Sequence, residues 1–137
     1  MLKKLFASLA VAAIIALPCT SDIVAAKMGY APQISDKQNI KLTVVPQNIP
    51  KAEKNWDFEV TMESHTQALN DDLTKSAVLT ADGKQYLPVA WEGAPPGGHH
   101  RKGLLRFKVI APMHASMKLQ IRLAGDALPR SFEWVLK

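Results

Sequence analysis

Cysteine is all but missing from this chain: Cys19 is the only one among 137 residues. It lies in an N-terminal stretch that reads as removable, so the mature chain is expected to hold no disulfide and to do no thiolate chemistry. Long apolar runs are scarce too. The longest, Leu5 to Leu17, falls short of the ~20 residues a helix needs to cross a bilayer, which argues against a stable membrane span. No stretch carries the apolar 3.6-residue periodicity of an amphipathic helix, so a helical bundle is excluded. No extended Lys/Arg run resembles a nucleic-acid footprint, and nucleic acid is therefore not an expected partner. Cys-x-x-Cys spacing, a Gly-x-Ser-x-Gly elbow and P-loop spacing are all absent, which removes the best-marked metal, acyl-transfer and nucleotide sites.

The N-terminus has the three parts of a secretory signal peptide. Lys3 and Lys4 make a basic start, Leu5 to Leu17 an apolar middle, and Val24-Ala25-Ala26 a small-residue cleavage site after Pro18. Residues 1–26 are read as the signal, 27–39 as a flexible leader and 40–137 as a folded domain. The protein is thus expected to be exported, either periplasmic or secreted. Cys19 follows Ala16-Leu17-Pro18, a poor lipobox, so lipidation is not the expected anchor. Loss of the signal removes two lysines and one aspartate and lowers the formal charge from +5 to +4. That supports no more than a weak attraction to anionic surfaces. The remaining chain of about 110 residues is long enough to bury a core without staples.

What the sequence does hold is period-two alternation. Ile40–Val44 alternates apolar and polar residues. Trp56, Phe58, Val60 and Met62 alternate with Asp57, Glu59, Thr61 and Glu63, as in a strand with one face in the core and one in water. Ala77–Thr80 and Lys84–Trp91 flank Asp82-Gly83, a strong hairpin signal because the turn needs positive φ. Leu87, Val89 and Trp91 are expected to share a face of the second of these strands. Leu105, Phe107 and Val109 continue the pattern, as do Met117 to Leu123 and Phe132 to Leu136. Between Ser64 and Ser76, Asn70-Asp71-Asp72 breaks any regular element, while Leu69 and Leu73 tuck back and a helical turn can form. About seven strands with frequent turn signals predict an all-β, Ig-like (fibronectin-like) antiparallel β-sandwich, here without the Ig cysteine pair. Trp56, Trp91 and Trp134 are expected as core anchors.

The least ordinary stretch is Trp91 to Phe107, with two prolines, four glycines, His99-His100, Arg101, Lys102 and Arg106. Its pattern, Trp-Glu-Gly-x-Pro-Pro-Gly-Gly-His-His-Arg-x-Gly-x-Leu-x-Phe, resembles the hallmark of a family of small exported bacterial and archaeal proteins of unassigned function. Ser64-His65, Asp72-Leu73 and the closing Arg130, Phe132 and Trp134 extend the similarity over about 44–137. The resemblance implies no activity. It implies that the Gly-Gly-His-His-Arg region is a selected feature.

Four histidines could ligate a metal: His65, His99, His100 and His114. Imidazole suits copper and zinc, and a bend at Gly97-Gly98 would let His99 and His100 converge with His65. The competing expectation is that one histidine bonds a backbone carbonyl to hold the loop while the other faces solvent. Met113, His114 and Met117 form a second copper candidate, although Met117 also continues a core alternation. The expected mature start lacks the third-position histidine of an N-terminal copper motif. Gly97, Gly98 and Gly103 beside His99, His100, Arg101 and Lys102 could instead form an anion-binding nest; the competing expectation is a long hairpin connection that its glycines and prolines merely shape, and Arg101 could equally pair with Glu92 across the loop mouth. Ser64-His65 and Ser116 near His114 make no triad, and Asp71-Asp72 and Glu92 read as solvated carboxylates, so no enzyme is expected. The leading reading is an exported non-enzymatic binding module with its site on the loop 92–103, specifically Glu92, Gly97, Gly98, Arg101 and Lys102. Its partner would be an exported protein or a small anion. The alternative is a periplasmic copper or zinc protein using His65, His99 and His100.

Overall fold

A computed structural model describes residues 30–47, 49, 54–108 and 115–136. The expected signal peptide, Cys19, and Met113 and His114 of the second copper candidate lie outside these residues. Nine strands and one helical turn make up the described chain: β1 Gln33–Lys37, β2 Ile40–Gln47, β3 Asn55–Ser64, α1 Leu73–Ser76, β4 Ala77–Ala81, β5 Lys84–Tyr86, β6 Ala90–Gly93, β7 His100–Lys108, β8 Ser116–Ile121 and β9 Arg130–Val135. They form two antiparallel sheets, of order β1-β2-β3-β7-β6 and β5-β4-β8-β9. The all-β sandwich expected from the alternation is what the chain folds into.

The alternation works as read. On β3, Trp56, Phe58, Val60 and Met62 are fully buried. Leu42 and Val44 from β2 join them, with Leu105 and Phe107 from β7. Leu79, Leu119, Ile121, Phe132 and Trp134 face them from the other sheet. Phe58 meets Phe107 edge-on at 5.7 Å and 86° between ring planes, the geometry ring quadrupoles favour. Trp56 and Trp134 are core anchors, whereas Trp91 is only half-buried and packs against the margin of the core.

The structure revises three boundaries. Gln33–Lys37, expected within a flexible leader, is a strand: Lys37 pairs with Ile40 across a two-residue turn. Gln38 and Asn39 both have positive φ there, 53° and 60°, as a type I′ hairpin turn requires. Asp82-Gly83 makes the expected turn in the same way. Lys84–Trp91 is two strands rather than one, because β5 belongs to the four-stranded sheet and β6 to the five-stranded one. Pro88 sits at the crossing, where it owes no ladder hydrogen bond, and Leu87 and Val89 are exposed instead of sharing a buried face with Trp91. Finally, the loop expected over 92–103 is short. Glu92 and Gly93 end β6, and His100 to Gly103 already pair with Glu63 to Val60 on β3.

Between β3 and β4 the chain turns on Ser64, whose Oγ accepts from the Thr66 and Gln67 amides. Asp72 caps α1 by accepting from the Thr74 amide at 3.0 Å, as a short acceptor before a helix start does. The Thr74 hydroxyl bonds the same carboxylate, and together these hydrogen bonds hold Asp72 below the usual carboxylate range. Leu69 and Leu73 are buried, as expected from the sequence.

Candidate site at the head of the five-stranded sheet

One end of the sandwich gathers the β1–β2 turn, the end of β3, the start of β7 and the start of β9. Of the expected binding residues, Gly97, Gly98, Arg101 and Lys102 collect near it, divided between interior and surface, while Glu92 lies farther along the sheet on β6. Arg101 goes inside. It is only 2% exposed, on the face of β7 shared with Leu105 and Phe107. Its Nη1 donates to the Asp71 carbonyl at 2.7 Å and to that of Leu69 at 3.2 Å, and its Nη2 to that of Ala94 at 3.5 Å. The guanidinium carbon lies 5.5 Å from the centroid of the Trp91 ring, a cation–π distance. Burial lowers the Arg101 pKa, and the nearby Asp71 and Asp72 charges oppose that shift. Arg101 therefore ties two loops together. It is not presented to an external anion, and it does not pair with Glu92. Glu92 instead accepts from Arg106 at 2.7 Å, and Arg106 also forks onto Asp57 at 2.9 and 3.3 Å.

Gly97 and Gly98 serve the same tie. Gly97 donates its amide to the Leu69 carbonyl, and the Leu69 amide donates to the Gly98 carbonyl. Their φ values, 117° and 69°, are those glycine adopts most readily. An anion nest would need that Gly97 amide turned outward.

The histidines part company as well. Nδ1 of His99 is 3.1 Å from the Ser64 carbonyl oxygen. A carbonyl only accepts, so the ring nitrogen is the donor. The Ser64 amide returns a bond to the His99 carbonyl at 2.9 Å. His100 is 68% exposed and lies 3.8 Å from Glu63. This is the competing expectation, one histidine holding the loop and the other in solvent. Among the described residues no group of three or more His, Cys, Asp or Glu side chains is placed to hold a metal ion. Ser64 is buried and engaged with its own loop, which leaves it badly placed for attack on a substrate.

The outward side chains form a cross-strand row. Asp36 is the register partner of Lys41, Lys41 of Glu63, and Glu63 of His100, so β1, β2, β3 and β7 contribute one residue each. Above this row lies an open groove of about 300 Å³ lined by Asp36, Asn39, Lys41, Glu63, His65, Thr66 and His100. Lys102, one row along, is 3.5 Å from Glu59 and largely exposed. Asp36 and Asn39 were missed by sequence reasoning because β1 was not recognised, and Lys41, on a recognised strand, because only register sets it beside Glu63. The Gln38-Asn39 step before the alternating run was the signal that could have revealed it.

No protein-family model, curated protein or solved structure compared with the chain matches it.

Proposed function

We propose that the chain is an exported, non-enzymatic binding module that recognises a segment of another exported protein at the groove between His65, Glu63, His100 and Lys41. Export rests on the N-terminal signal pattern and on the resemblance to small exported proteins. The observation that carries the binding reading is the groove itself, a concavity at the lower end of ligand-site volumes. Two pinned loops border it, and four strands supply its floor. Its lining mixes a lysine, two carboxylates and two imidazoles, which suits a polypeptide carrying both charges better than a small anion. With Arg101 buried, the anion reading loses its principal cation.

The test uses the mature chain, Lys27–Lys137, as bait for the exported proteins of its own cell. A Glu63→Ala/His65→Ala/His100→Ala variant and an Arg122→Ala control serve beside it. A partner retained by the parent and the control but lost with the groove variant supports the reading, and its retention should weaken as salt is raised. A partner indifferent to the groove variant, or no partner, sinks it. Titration of the same proteins with Cu(I), Cu(II) and Zn(II) addresses the alternative. Stoichiometric binding by the parent that disappears in the groove variant would make the metal reading primary.

A further inference from the structure

Each sheet of an open sandwich ends in edge strands with unpaired backbone groups, which invite another strand. Two of these edges, β1 and β9, lie beside each other on one side of the molecule, where the Trp134 Nε1 donates to the Ala31 carbonyl at 2.9 Å. The register of β9 shows which of its groups are free. The Leu136 amide bonds the Ala115 carbonyl beside β8. In an antiparallel ladder bonding groups alternate sides, so Phe132 and Trp134 also turn toward β8, while Ser131, Glu133 and Val135 turn their amides and carbonyls to the open edge. The middle one of the three is taken. The Glu133 amide donates to Oε1 of Gln33 at 3.0 Å, and Nε2 of Gln33 donates to the Glu133 carbonyl. A side-chain amide thus makes the two bonds that one residue of an added strand would make.

We propose that Gln33 is an edge guard: its carboxamide occupies the central pairing position of β9 and keeps that strand from joining the β9 of a second copy. A second copy is the occupant the edge fits. Twofold antiparallel pairing that sets Glu133 opposite Val135 of the other copy keeps like charges apart. Val135, 67% exposed, would gain apolar cover in that pairing. Among the described residues nothing else on this edge is equivalent, since Arg130 reaches the β1–β2 turn from the strand's buried face.

The test is the solution mass of the mature chain, measured by light scattering over a concentration series, with Gln33→Ala and Gln33→Ala/Val135→Pro beside it. Proline at 135 removes an outward amide without touching the β8 ladder. The expected result is a monomeric parent, a Gln33→Ala protein whose mass rises twofold with concentration, and a double variant that is monomeric again. A Gln33→Ala protein that stays folded and monomeric overturns the proposal, as does a dimer that survives Val135→Pro or a parent already dimeric. Amide exchange in the parent tests it without substitution. The Glu133 amide should exchange at least tenfold more slowly than those of Ser131 and Val135, and equal rates at all three would also overturn it.

Discussion

Two arginines carry more of the architecture than any other polar residues. Arg101 and Arg130 are each 2% exposed, and both end on backbone carbonyls of distant segments. For Arg101 those carbonyls belong to the 64–72 and 94–99 turns, so one side chain ties together two loops, the first of which lines the groove through His65 and Thr66. Ala94 also accepts from the Trp91 indole, and Leu69 from the Gly97 amide. Removing Arg101 therefore orphans chiefly the Asp71 carbonyl and leaves a void. We expect Arg101→Ala to lower stability by about 2–4 kcal/mol, from the lost volume and one unsatisfied acceptor, read as a lower urea midpoint. Arg101→Lys should recover little, because a single ammonium cannot span three carbonyls as a planar fork does. An Arg101→Ala protein as stable as the parent would show that the tie is incidental.

β6 and β7 approach closely where two glycines meet. Gly93 faces Gly103 in register. A Cβ on Gly103 would lie 2.7 Å from the Glu92 carbonyl oxygen, from the Gly93 Cα and from the Trp91 ring. Gly103 thus leaves the hollow into which Trp91 folds, while Gly93 lets the β7 backbone come close, and Trp91 in turn lies over Arg101. Gly103→Ala should cost about 1–3 kcal/mol through overpacking and shift the near-ultraviolet dichroism of Trp91. An unchanged spectrum with unchanged stability would mean that β6 moves away freely. The same pair explains why an expected loop turned out to be strand. Glycine weakens a strand forecast, and only the facing strand reveals that the lack of a side chain is what the pairing needs.

Across the whole molecule, Arg130 and Asp126 bind the two sheets. Asp126 accepts from Arg130 Nε at 3.0 Å and from the Leu123 amide. The other Arg130 nitrogens reach the carbonyls of Ile40 and Lys37 at 2.6 and 2.7 Å. The start of β9 is thereby fastened to the β1–β2 turn of the opposite sheet. Asp126→Asn leaves a buried guanidinium without its counter-charge, a loss of about 3–5 kcal/mol for pairs of this kind, or a melting temperature lower by roughly 15 °C for a domain of this size. A shift of only a degree or two would place the joint elsewhere.

The alternation of Trp56–Glu63, Met117–Leu123 and Phe132–Leu136 determined the sandwich, since a period of two with large apolar residues in one phase admits only a half-buried strand. Asp82-Gly83 determined its hairpin. The same alternation already held the buried arginines in view. Arg101 is in phase with Leu105 and Phe107, and Arg130 with Phe132 and Trp134. For Arg101 its charge suggested a place at the loop mouth, and phase was the better guide. Tertiary structure alone decided what meets these guanidiniums. The carbonyls of Leu69, Asp71, Lys37 and Ile40 carry no side-chain signature, and their direction depends on how distant turns pack. It likewise decided that His99 would hold Ser64 while His100 joined Asp36, Lys41 and Glu63 in one row. Register between strands far apart in sequence is set by the packed core and by no neighbour along the chain.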